Sequence, residues 1–201
     1  MGRTSDAKSK LLRVAFQLIW QQSYGAVSVD DICQRAQVKK GSFYYFFRSK
    51  SDLAVAASDE YWRVHQPDYD RVFSPLVPPL DRIAGYCRMV YEMQRERHAE
   101  TGRVLGCPFA TVGCELSTQD ENIRQKSADI FNRTCAYLEQ ALRDGVAAGQ
   151  LEIGDIPGQS RAIFGLVMGM LLQARVRNDP EVLRELGPLA LDMIAPRMAV
   201  C

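Results

Sequence analysis

The chain has 201 residues, of which 47% are hydrophobic, an ordinary globular fraction with room for an ample core. Its net charge of +1 hides an asymmetry: residues 1–50 carry nine Lys/Arg against three acidic residues (+6), and the rest carries sixteen against twenty-one (−5). A basic head on an acidic body points to a polyanion bound at one end only. The N-terminus lacks a signal-peptide core, and the most apolar run, Ala162–Ala174, has 13 residues, too few to span ~30 Å of hydrocarbon. The composition therefore reads as a cytoplasmic protein with no membrane role.

Residues 1–5 read as a loose basic tail. Asp6–Ser23 is expected as a first helix whose apolar face is Leu11, Leu12, Ala15, Phe16, Ile19 and Trp20, with Lys8, Lys10 and Arg13 outward. Ser28 is placed to N-cap a second helix, with Asp30 and Asp31 at its positive end and Val29, Ile32, Cys33 and Ala36 as its buried stripe. Gln37 and Val38 end it. Lys39, Lys40, Gly41 and Ser42 open a third helix filled by aromatics from Phe43 to Phe47, and Ser49 caps a fourth with Asp52 at N3.

Two short helices across a tight turn make a helix-turn-helix, expected over about 28–47, whose second helix enters the major groove of double-stranded DNA. Lys39 and Lys40 offer charge to phosphate, Gly41 admits close backbone, and Ser42, Tyr44 and Tyr45 offer hydroxyls. Phe43 offers an apolar face to a thymine methyl, and Lys50 a further phosphate contact. With Ser28 these form the candidate DNA-binding set.

The run Val38-Lys-Lys-Gly-Ser-Phe-Tyr-Tyr-Phe-Phe-Arg-Ser-Lys-Ser-Asp-Leu53 resembles the TetR family of bacterial transcriptional regulators. Tyr45 stands where that family commonly has His. The resemblance covers about the first 55 residues. It implies an all-α fold of about nine helices: a three-helix DNA-binding head, residues 1–52, and a helical ligand-binding and dimerisation body, residues 53–201.

The fourth helix should run from Ser49 to about Phe73, kinked or broken at Pro67. Its Tyr61, Trp62, His65 and Tyr69 are either core or one wall of a ligand pocket. Ser74–Pro79 is a clear break, followed by a helix from Leu80 to about Glu100. Gly106 permits a bend, and Pro108 suits the first turn of a short helix, Phe109–Leu116. Cys107 then lies at a helix N-terminus, which favours thiolate. Gly106-Cys107 with Glu115 and Arg124 resembles a TetR subgroup that includes an electrophile- and oxidant-sensing repressor, which makes Cys107 a candidate sensor; its alternative is packing of the bend. The ligand-binding or sensing candidates are Trp62, His65, Tyr91, Cys107, Phe109 and Phe131.

Asp120–Ala148 reads as a long helix and Pro157 to about Arg177 as the penultimate one, apolar on nearly every side from Ile163 to Leu172. Such a helix is buried all round, which in a chain this short implies a partner subunit. Pro180–Met193 supplies the last helix. The expected homodimer interface is Phe164, Gly165, Met168, Gly169, Leu172, Leu186 and Leu189, in a four-helix arrangement.

The six cysteines form no pairing pattern and read as thiols. There is no CxxC, Walker motif, GxGxxG or HExxH, and the two histidines stand apart, so neither metal, cofactor nor catalysis is expected. The expected function is a dimeric repressor on a pseudo-palindromic operator, released by an unknown small-molecule inducer or by thiol modification. A small-molecule-binding protein with a vestigial head is the alternative, and a thiol enzyme centred on Cys107 a remote third.

Overall fold

A computed structural model describes residues 2–195. Met1 and the thiol expected of Cys201 lie outside them. Among the described residues there are nine α-helices, one 3-10 helix and no strand. In order the helices are α1 (Gly2–Gln22), α2 (Val29–Ala36), α3 (Lys40–Phe46), α4 (Lys50–Val72), α5 (Pro79–Thr101), α6 (Pro108–Leu116), α7 (Glu121–Ala147), α8 (Ile156–Arg177) and α9 (Leu186–Asp192). The expected N-terminal tail is helical from Gly2, since nothing in Gly2–Ser5 breaks the ladder. The expected last helix is split into a 3-10 helix, Pro180–Glu185, and α9. Pro188 has no N–H to donate backward, so α-helical bonding cannot run through from Pro180 and starts afresh at Leu186.

The chain packs as two compact units. The first comprises residues up to Gln66 together with Pro108–Ile130, and the second Pro67–Cys107 with the described residues from Phe131. The first unit thus groups α6 and the start of α7 with the three N-terminal helices. The helix α4 continues through Pro67, where the sequence suggested a break, and the division between units falls at that residue.

In the first unit, Leu11, Ala15 and Ile19 of α1 meet Ile32, Cys33 and Ala36 of α2, Phe43 and Phe47, and Leu53, Ala54 and Ala57 of α4. Leu116 and Ile123 complete this core. Gly113 lies against Ser127, where an added Cβ would come within 3.0 Å of Oγ. Close approach of α6 and α7 therefore requires glycine there. Among the described residues, Cys33, Cys87, Cys107, Cys114 and Cys135 form no disulfide.

The second unit is centred on Ile83, Tyr86, Leu138, Leu142, Ile163, Val167 and Leu183. Arg82 is buried within it. Its guanidinium donates to the Val77 carbonyl at 2.7 Å and the Pro75 carbonyl at 3.2 Å, and pairs with the Asp144 carboxylate. Removing one partner of a buried pair costs about 3–5 kcal/mol; because Asp144 is one-third exposed, Arg82→Ala should cost about 2–3 kcal/mol, measured by denaturant unfolding. Hydrogen bonds from Arg82, then Gln140, hold the Asp144 pKa below its ordinary 3.8. A folded-state pKa below the unfolded one gives stability present above pH ~4 and lost as pH falls through the folded value. That acid limb should flatten in Arg82→Ala.

Candidate nucleic-acid interface

Local sequence builds the helix-turn-helix. Ser28 accepts the Asp31 N–H at 3.1 Å while Asp31 accepts the Ser28 N–H at 2.8 Å, a reciprocal capping box. The Ser28 hydroxyl, which donates to the same carboxylate at 2.6 Å, and then the Ser28 N–H hold the Asp31 carboxyl below its usual pKa. Val27 and Ile32, flanking the cap at N′ and N4, are both buried in the same core, as a hydrophobic staple requires. At the other end Gln37 adopts the left-handed conformation (φ 56°), and the Gln37 and Val38 N–H groups return to the Gln34 and Cys33 carbonyls. The turn reaches Lys39, the N-cap position of α3, in extended conformation.

The helix α3 then divides its aromatics. Phe43 and Phe47, four apart, are buried, with Phe43 fully so. Phe43 is therefore no base contact: it meets the edge of Tyr44 at 5.0 Å and Phe47 at 5.9 Å and anchors the helix to its core. The opposite face is solvent-facing. Tyr44 is 56% and Tyr45 76% exposed, and Lys39, Lys40, Gly41 and Arg48 are exposed with them, while Ser42 is half-buried. An added Cβ at Gly41 would meet nothing within 4 Å, so backbone there is open to a close approach. Arg48 was not among the expected contacts. Its charge in the bend directly after α3, next to the Lys39–Tyr45 run, was the available signal.

The cations differ in freedom. Lys40 pairs with Asp30 at 2.8 Å; both are well exposed, and the hydrogen bond to Asp30 raises the Lys40 pKa. Such a pair is weak and can exchange for phosphate. Lys50 is held inward: its ammonium donates to the Tyr24 and Val27 carbonyls, each at 2.8 Å, and lies 3.9 Å above the Tyr24 ring. Burial lowers its pKa, against the opposing field of Glu115. Ser28 is spent on its cap.

The ligand candidates fall three to each unit. In the first, Trp62 and Phe109 are buried, Phe109 lies edge-on to Phe16 at 6.1 Å, and His65 lies 4.1 Å from the Tyr61 ring. An open groove of about 550 Å³ between α4 and α7 of this unit is lined by Asp52, Val55, Ala56, Asp59, Asn122, Gln125, Lys126 and Asp129, none of them a candidate. In the second unit, Tyr91 donates to Glu181 at 2.9 Å and Phe131 packs on Phe164 at 5.1 Å. Cys107 is half-buried against the unit's core. Its neighbour Gly106 has φ 71°, and its N–H and carbonyl are both bonded to the buried Gln94 amide, at 2.9 and 3.2 Å. A Cβ on Gly106 would also press on Arg175 at 3.3 Å.

Helix α8 is not covered on all sides within the chain. Ile163, Val167, Leu171 and Ala174 face the core, while Gly165, Gly169, Leu172 (63% exposed) and Val176 (78%) form an exposed stripe. Gly165 and Gly169 have open space above them, and Phe164 and Met168 are half-buried beside them. On α9, Leu189 is 42% exposed, but Leu186 is fully buried in the core of its own chain and so is not available to the expected interface. Among the described residues no helix is long and apolar enough to cross a membrane, and no cluster of three His, Cys, Asp or Glu side chains is arranged to hold a metal.

A capped helix-turn-helix with a basic, tyrosine-bearing outer face, carried by an all-helical chain, defines a DNA-binding transcriptional regulator. Residues 11–57 match the model of bacterial regulatory proteins of the tetR family, and residues 79–187 that of the tetracyclin repressor-like C-terminal domain. The chain belongs to the TetR family. It is 27% identical over 180 residues to the HTH-type transcriptional repressor NemR of Escherichia coli strain K12, covering 89% of this chain and 88% of that one. It is also 27% identical over 181 residues to the transcriptional regulator AcuR of Cereibacter sphaeroides, covering 89% and 81%. The crystal structure of reduced E. coli NemR superposes with a TM-score of 0.80 at 26% identity, covering 96% of this chain and 100% of that one. That of a regulatory protein TetR from Rhodobacter sphaeroides gives 0.81 at 25%, covering 94% and 99%.

Proposed function

We propose that this chain acts in the cytoplasm as a homodimeric repressor, not an enzyme, whose two heads occupy successive major grooves of a pseudo-palindromic operator. The observation that carries this reading is the exposed Lys39–Arg48 edge of a well-capped helix-turn-helix. Base and phosphate contact falls to Lys39, Lys40, Gly41, Ser42, Tyr44, Tyr45 and Arg48. The α8 stripe with Leu189 supplies a self-complementary apolar face for the second copy. Release follows from a small molecule bound in the body or from modification of the Cys107 thiol. Either effector must favour the DNA-free form; equal affinity for both forms would shift nothing.

The test is a gel shift on duplex DNA from upstream of the protein's own gene, with two chains expected per site. Absence of any shift at low salt would count against the reading. For the thiol route, Cys107→Ser should bind that DNA with unchanged affinity and ignore hydrogen peroxide. A peroxide response that survives the substitution removes Cys107 from the switch.

A further inference from the structure

The corner between α1 and α2, Ser23–Val27, satisfies only part of itself: the Ser23 N–H bonds the Ile19 carbonyl, the Ala26 N–H the Ser23 hydroxyl and the Val27 N–H the Tyr24 carbonyl, which leaves the Tyr24 and Gly25 N–H groups to partners from outside. Ser23 holds φ 124°, a conformation that side chains rarely adopt and that persists only where surroundings enforce it. The residues that follow Ser23 are braced by two side chains remote in sequence. Glu115 of α6 accepts the Tyr24 N–H at 2.9 Å and the Gly25 N–H at 2.6 Å. Lys50, at the start of α4, donates to the Tyr24 and Val27 carbonyls. The Tyr24 residue is thus gripped at its N–H by an anion and at its carbonyl by a cation. Charge-assisted bonds of this kind are the stronger class. Ser28, the cap that starts α2, follows the corner directly, so the corner sets where the helix-turn-helix begins.

We infer that Glu115 is a positioning residue for DNA binding: its carboxylate fixes the Tyr24–Gly25 corner and thereby the station of α2 and α3. The inference rests on the DNA-binding reading above and adds a residue that supports it without touching DNA. The helix α6 is suited to the role. It is the nine-residue helix by which the chain re-enters the first unit directly after Cys107, and its Gly113 contact with Ser127 leaves it no slack against α7.

Two variants break the grip from opposite sides. Glu115→Ala removes the acceptor, and Gly25→Ala crowds it, because an added Cβ would sit 3.0 Å from Oε1. Operator affinity, its salt dependence, thermal unfolding and amide exchange are measured on the parent and both variants, with Glu115→Gln as the conservative control. The expected result is a loss of affinity of about tenfold or more in both variants, with faster exchange at the Tyr24 and Gly25 amides and a partial return in Glu115→Gln. The salt slope should not change, since Glu115 touches no phosphate. If Glu115→Ala fails to fold, Gly25→Ala carries the test. Affinity within threefold of the parent, or amides that keep their protection, overturns the inference alone. A parent protein that never binds the fragment overturns the DNA-binding reading as well.

Discussion

Replacing Lys39 and Tyr44 together by alanine should lower operator affinity by about 100-fold or more at physiological salt. Neither side chain is part of the core: Lys39 is exposed and Tyr44 is 56% exposed, so thermal stability should move little. The two losses differ in kind. A lysine on phosphate contributes counterion release, so its removal flattens the logarithmic salt dependence by about one unit per subunit. The tyrosine contributes a hydroxyl and a flat apolar face at the recognition helix, so its single removal should weaken binding without altering the salt slope. Fluorescence anisotropy across a salt series separates the two. Binding retained within threefold in the double variant would move the interface off this edge.

A second large effect is expected at the α8 stripe. Leu172→Asp with Val176→Asp places two carboxylates where the proposed partner would seal them from water, a cost no interface of this kind absorbs. In the isolated subunit the same positions are 63% and 78% exposed, so the helical fold should survive. Sedimentation at micromolar concentration should then show single chains where the parent shows pairs. Operator affinity should fall by about two orders of magnitude or more, because two tethered heads share an effective concentration that separate heads lack. A doubly charged variant that still sediments as a dimer would place the interface on another face.

Much of this was legible in the chain because its signals are local. A cap needs only Ser28 and the residue three positions on, and the Gly106–Pro108 bend needs only neighbours. What the sequence withheld was direction. In Lys-Gly-Ser-Phe-Tyr-Tyr-Phe-Phe every face of the helix is aromatic, so periodicity alone could not decide that Phe43 turns inward while Tyr44 and Tyr45 turn out. The packing of α1 and α2 decides it. Leu186 and Leu189 stand one turn apart with the same chemistry, yet only Leu189 is exposed. Lys50 looked like a phosphate ligand and instead closes a corner 23 to 26 residues behind it. The grip of Glu115 on that corner spans about ninety residues, a separation on which neither spacing nor propensity bears.

The Arg82 guanidinium has one more implication, for how this chain can diverge. It reaches two carbonyls of the Ser74–Pro79 turn at once, and three of the turn's six residues are prolines. Leu76, between those carbonyls, is 93% exposed. Surface turns commonly absorb extra residues. Here an inserted or deleted residue would put one carbonyl out of reach of a side chain of fixed length, so this connector is open to water and yet closed to changes in length.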